Sequence, residues 1–230
     1  MEQVKLLGVE TSSLVFSAAV CDGERILSSL KSDDPARRSD LLAEMIQEVV
    51  RAAGLTLPGL DGFAVSVGPG SFTGLRVGVT TVKTLAWALK KKILPVSTLE
   101  VIARNLGRGS APVGVFLDAR KGKVYSALFA PDGSAGLKRL SPDQLLPPEE
   151  ALKKFTGGVT LVGDGLRRYR DLLESANGGT WTLTPESDWI PSAEALCGIA
   201  ASRWPHGVLD DPHRLVPQYL YSKESDITGW

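Results

Sequence analysis

The chain is written twice, and nothing else in the sequence constrains its fold as much. Residues 4–9, "VKLLGV", form an apolar run followed by "ETSS", a second run "LVFSAAVCDG" and a third, "ERILSSLK". Residues 113–117, "VGVFL", open the same order: "DARKGK", then "VYSALFAPDG", then a stretch near "GLKRL". Glu10 falls on Asp118, 108 residues later, and both second runs end in Asp-Gly, a tight-turn signal. "FAVSVGPG" before a helical pattern recurs as "VTLVGDG" before "LRRYRDLLESA". "ILPVSTLEVIARNL" has its counterpart in "WTLTPESDWIPSAEALCGIAASRW". Each half therefore reads strand, strand, strand, helix, strand, helix, strand, helix, and a repeat of this length decides the architecture. The pattern predicts an α/β protein of two duplicated lobes, each a mixed five-stranded sheet with flanking helices. The lobes are residues 1–108 and 109–230, divided near "GRGSA", with a C-terminal tail on the second.

Composition excludes some functions. Lys and Arg number 26, as do Asp and Glu, so the net charge is zero. That argues against a protein that grips nucleic acid alone by neutralising phosphates. Basic clusters at Lys90–Lys92, at Arg120, Lys121 and Lys123, and at Arg167, Arg168 and Arg170 read as solvated turns and helix ends. Cys21 and Cys197 lack partners at zinc-type spacing and read as buried thiols in a reducing compartment. The start, "MEQVKLLGVE", lacks a basic region before a long apolar core, and no apolar run is long enough to span a bilayer. The expected location is the cytoplasm.

The duplicated layout is similar to that of the actin, sugar-kinase and chaperone-ATPase superfamily (ASKHA, with ribonuclease-H-like lobes). There two lobes clasp a nucleotide, and an acidic residue ending the first strand of each faces phosphate and metal. That resemblance makes Glu10, its neighbour Thr11 and Asp118 the candidates for cofactor contact, as a carboxylate pair or as residues bonding to turn amides. Other chemistry is thinly supplied. "GPGSFTG" at 68–74 lacks the Lys-Ser/Thr of a P-loop and the acidic residue of a dinucleotide fingerprint. His206 and His213 have no helical partner at metal-ligand spacing, and no nucleophile elbow occurs. The reading is no catalytic residue, no metal and no cofactor. A stand-alone ATP-binding hydrolase or kinase is the alternative, and a peptidase a weaker third.

The glycines then need a reason. Gly70, Gly74 and Gly78 step by four residues into a predicted helix over 71–90, capped by Ser71. Each interior Gly costs a helix about 0.8–1 kcal/mol against Ala. Such a stripe lets a second backbone approach closely. That backbone belongs either to this chain's own core or to another chain. A second predicted helix, residues 35–53, has apolar residues at 41, 42, 45, 46, 49, 50 and 53 and ends at Gly54. The two helices nominate a partner interface. It comprises Leu41, Leu42, Met45, Ile46 and Val49 on the first, with Phe72, Gly74, Leu75, Gly78, Val79, Val82 and Leu85 on the second.

With these residues in view, the chain resembles the TsaB (YeaZ) family. The resemblance rests on "GPGSFTGLRVGVTTVKTLA", with "GVETSS" at 8–13, "VSTLEVIA" at 96–103, "LDARKGKVYSALF" at 117–129, "VGDGLRRY" at 162–169 and "VPQYLYS" at 216–222. It covers essentially the whole chain. It implies a non-catalytic subunit that supports the paralogous enzyme TsaD, which transfers threonylcarbamoyl to the adenosine next to the anticodon of tRNA. It further implies TsaD binding through the two helices above, recruitment of the ATPase TsaE, a homodimer when alone, and tRNA contact only indirectly. TsaD carries a metal-binding His pair where this chain has "STLEVIARN" at 97–105, without His. Family members often have His in "HSQ" at the first helix; here residues 37–40 read "RRSD".

Overall fold

The structure is a computed structural model. It describes residues 3–33, 38–107, 109, 111–132, 136–176, 181–204, 206, 208 and 211–221. The chain forms two compact units, residues 1–105 with 191–217, and residues 106–190 with 218–230.

In the first unit the apolar runs become β1 (Lys5–Glu10), β2 (Phe16–Asp22) and β3 (Arg25–Ser32), an antiparallel meander. Helix α1 (Arg38–Ala52) leads to β4 (Gly62–Gly68), α2 (Phe72–Leu89), β5 (Lys92–Ser97) and α3 (Thr98–Arg104). β4 lies parallel to β1 and β5 parallel to β4, giving the order β3-β2-β1-β4-β5. The period-2 alternation of β1 sends its side chains to two separate cores. Leu7 and Val9 face a cluster with Leu42, Ile46 and Val49 of α1 and Val79, Val82 and Ala86 of α2. Leu6 faces the opposite cluster, which a later helix closes.

In the second unit the repeat returns as β6 (Val113–Asp118), β7 (Val124–Pro131), β8 (Leu137–Arg139) and β9 (Gln144–Leu146). There follow α4 (Pro148–Lys153), β10 (Thr160–Val162), α5 (Gly165–Arg168), α6 (Arg170–Ser175) and β11 (Thr182–Leu183). The path β11-β10-β6-β7-β8 mirrors the first sheet, but the sheet has six strands rather than the expected five. The third strand is split: β8 pairs with Phe129–Pro131 of β7 and β9 with Val124–Ser126. Pro142 lies between the two pieces and cannot donate to a ladder.

The last helix, α7 (Ala193–Arg203), departs from the expected lobes. It ends the second half of the sequence, yet residues 191–217 belong to the first unit. Leu196, Cys197, Ile199 and Ala200 cover the face of that sheet opposite α1 and α2. A cut at residues 108 and 109 would strip the first unit of this cover. Arg108 and the tail from residue 222 lie outside the described residues. Cys21 and Cys197 are free thiols buried in this cluster.

Candidate functional site

Glu10 ends β1 and is fully buried. Its Oε1 accepts the Ser12 backbone N–H at 2.7 Å and the Ser12 hydroxyl, and its Oε2 accepts the Ser66 hydroxyl from β4. Burial pushes its carboxyl above the ordinary value; the bonds from Ser12, Ser66 and Thr11 oppose the rise. These donors occupy both oxygens, and no face of the group reaches solvent. The arrangement fixes the turn after β1.

The glycines explain why that turn sits where it does. The Ser71 N–H donates to the Ser12 carbonyl at 2.7 Å, and the Ser71 hydroxyl caps α2 by accepting from Gly74 N–H at 3.2 Å. A Cβ at Gly70 would strike the Ser12 carbonyl, one at Gly74 the Thr11 carbonyl, and one at Gly78 the Thr11 hydroxyl. The close second backbone is therefore the chain's own β1–β2 turn. Thr11 is fully buried against α2, and its hydroxyl lacks a hydrogen-bond partner. Of the two backbones the stripe could receive, it receives the chain's own.

The nominated interface residues divide by burial. Leu42, Met45, Ile46 and Val49 of α1, and Gly74, Leu75, Gly78, Val79 and Val82 of α2, are buried in the first unit. The sheet needs a cover on this face, and α1 and α2 supply it. Leu41 and Leu85 are half-buried, and Phe72 is 51% exposed. Side chains of residues 38–40 lie outside the description, so the "RRSD" departure gains no account.

The outward face of α2 is another set of residues. Thr73, Arg76, Thr80, Thr84 and Trp87 recur at three- and four-residue steps and are exposed, Trp87 at 64%. The Arg76 guanidinium stacks 3.8 Å from the Phe72 ring centroid. Across the 18 residues of α2 only Arg76 and Lys83 are charged. Lys83 donates to the His213 and Leu215 carbonyls, each at 3.2 Å. Sequence periodicity put the glycines on one face without saying which face looked inward. An aromatic on the polar side of the helix was the signal that went unused.

Asp118 ends β6 as Glu10 ends β1. Its N–H donates to Asp164 Oδ1 at 2.8 Å, and its Oδ1 accepts the Arg120 N–H at 3.0 Å. Arg120 and Arg168 approach it at 3.6 and 3.7 Å. The Asp164 carboxyl is raised, by desolvation first and also by the Asp118 charge; the Asp118 N–H, Arg120 and Arg167 oppose. Asp164, in the "VGDG" turn, was missed from sequence. Glu10 belongs to the first unit and Asp118 to the second. Among the described residues no three of His, Cys, Asp and Glu gather as a metal would require, and no helix is long and apolar enough to cross a membrane.

Comparison with known proteins places this geometry. A family model described as TsaD, tRNA N6-adenosine threonylcarbamoyltransferase, matches residues 36–160. The "tRNA threonylcarbamoyladenosine biosynthesis protein TsaB" of Bacillus subtilis is 26% identical over 224 residues, 96% of each chain. The protein of the same name from Escherichia coli is 26% identical and covers 94% of each. The structure of YeaZ from Pseudomonas aeruginosa superposes with a TM-score of 0.82 at 26% identity, covering 94% of this chain and 100% of that one. The fold is the duplicated actin-like one. By the family match over more than half its length and the near-full-length likeness to these relatives, the chain belongs to the TsaD family, in its TsaB (YeaZ) branch.

Proposed function

We propose that the chain works in threonylcarbamoyladenosine biosynthesis as a non-catalytic subunit that binds and supports a TsaD-type transferase. The observation that carries the reading is the outer face of α2. Exposed helix faces ordinarily bear many charges. This one offers threonines, one Arg and a projecting Trp, the aromatic-rich and charge-poor make-up of an interface core. Phe72 and Trp87 are its anchors. The same face is where two copies would meet when no transferase is present, and the ATPase TsaE would join the assembled pair. The sealed Glu10 carboxyl supports a role without chemistry and does not favour the hydrolase or kinase reading.

The test mixes the chain with a TsaD-type transferase and measures association by calorimetry. Trp87→Ala and Thr80→Arg should each weaken binding about tenfold or more while leaving the fold intact. Full-strength binding by both variants would remove α2 as the contact. Magnesium-ATP binding to the isolated chain that Glu10→Gln abolishes would instead restore the nucleotide enzyme.

A further inference from the structure

The two cysteines come from opposite ends of the sequence and meet in one core. Cys21 lies on β2 and Cys197 in the middle of α7. Ala19 and Cys21, two residues apart on β2, project to the same face of the sheet. Across the ladder they stand opposite Gly8 and Leu6 of β1. The Cys197 sulfur lies over this group. Its thiol donates to the Ala19 carbonyl at 3.5 Å and is the hydrogen-bonding neighbour of the Cys21 sulfur. A Cβ at Gly8 would stand 2.8 Å from the Cys197 sulfur and 3.1 Å from the Ala193 carbonyl. Glycine inside a strand weakens it and marks a close approach. Here the approaching group is α7 with its thiol.

Both thiols are free, and both are fully buried. A single buried cysteine packs as a small apolar residue and calls for no other reason. These two are the whole cysteine complement of the chain, and they share a hydrogen bond. An S–S bond requires such side chains, facing each other from neighbouring backbones. The pair is also unequal. The hydrogen bond with Cys197 draws the Cys21 thiol below its ordinary value, against the effect of burial. The same bond, and then burial, push the Cys197 thiol well up. Cys21 is therefore the readier thiolate, and Cys197 the thiol that follows.

We propose that Cys21 and Cys197 form a peroxide-oxidisable dithiol that closes into an internal disulfide and fastens α7 to the first unit's sheet. The Cys21 thiolate attacks one oxygen of hydrogen peroxide. The O–O bond breaks, and the departing hydroxide takes up the thiol proton as water, leaving a sulfenic acid. The Cys197 sulfur then attacks the Cys21 sulfur. The S–O bond breaks, and a second water leaves with the Cys197 proton. Two thiols and one peroxide thus become one disulfide and two waters. Peroxide is little larger than water and enters when α7 parts briefly from the sheet. The closed bond ties a strand near the start of the chain to a helix near its end, which restricts the unfolded state strongly.

The test uses the intact chain, reduced, freed of reductant and incubated with millimolar hydrogen peroxide. Thiol titration should fall from two groups to none. Trypsin should release residues 6–25 joined to residues 171–203, and dithiothreitol should separate them. On a non-reducing gel the oxidised protein should run as one chain. It should melt about 10 °C higher than the reduced form, a gain that dithiothreitol reverses. Two single variants, shown by circular dichroism to be folded, give the order of attack. With Cys197→Ala, dimedone should trap a sulfenic acid on Cys21; with Cys21→Ala, Cys197 should stay unlabelled. Retention of both thiols in peroxide would overturn the assignment. So would sulfinic acid on either cysteine without the cross-link, a disulfide that joins two chains, or a cross-linked chain that melts no higher than the reduced one. Labelling of Cys197 rather than Cys21 would overturn the order of attack.

Discussion

At the scale of single residues, two side chains carry most of the information about the β1–β2 turn. Glu10 is buried with its carboxyl raised above 4.5, so its proton is held more tightly in the folded chain than in the unfolded one. Below the unfolded value both states are protonated and the fold has its full stability. As pH rises through the folded value, the buried group must ionise and stability is lost. Glu10→Gln removes that titration. Urea unfolding between pH 4.5 and 8 should therefore show a flatter profile in the variant, with a higher midpoint at the alkaline end. Thr11 gives a second prediction. Gly78→Ala gains about 1 kcal/mol of helix propensity but drives a methyl into the Thr11 side chain, for a net loss of about 1–2 kcal/mol. Adding Thr11→Ala deletes an unpartnered hydroxyl and should recover at least half of that loss. Additive energies in this double-mutant cycle would show that the two residues do not meet.

At the scale of elements, α2 rests on its cap. Ser71→Ala leaves the Gly74 N–H without its acceptor and should cost about 1 kcal/mol, read from chemical denaturation. Trp87→Ala on the opposite side should cost under about 0.5 kcal/mol, because little of that ring is covered. Element order was legible in the sequence because apolar spacing reports it directly: "VKLLGV" became β1, and the helix starting at Ser71 began where its cap said. Orientation was not legible. Spacing places Gly74, Gly78 and Val82 together, yet the partner of that face, Thr11, comes from a loop whose position no periodicity encodes. The apolar stripe of α1 serves its own sheet, packing on both β2 and β3. The predicted helix over "LRRYRDLLESA" broke at Tyr169 into α5 and α6, whose boundary carries neither Pro nor Gly to announce it.

At the scale of the whole molecule, the duplication foretold two sheets of matching order but not how the chain is shared between them. A repeat specifies which element follows which; packing specifies which sheet receives it. The residues 1–108 expressed alone should fail to fold, because Leu6, Ala64, Leu94 and Val96 would face water without α7. Co-expression with 109–230 should restore a soluble, protease-resistant product. Independent folding of the first fragment, seen by circular dichroism and cooperative melting, would contradict this. The ownership of α7 also sets a timetable for synthesis. Some 85 residues separate Asn105 from Pro191. At a ribosomal pace of about 5–20 residues per second, a nascent first unit waits roughly 4–17 seconds with one flank bare, an interval in which a chaperone has reason to hold it.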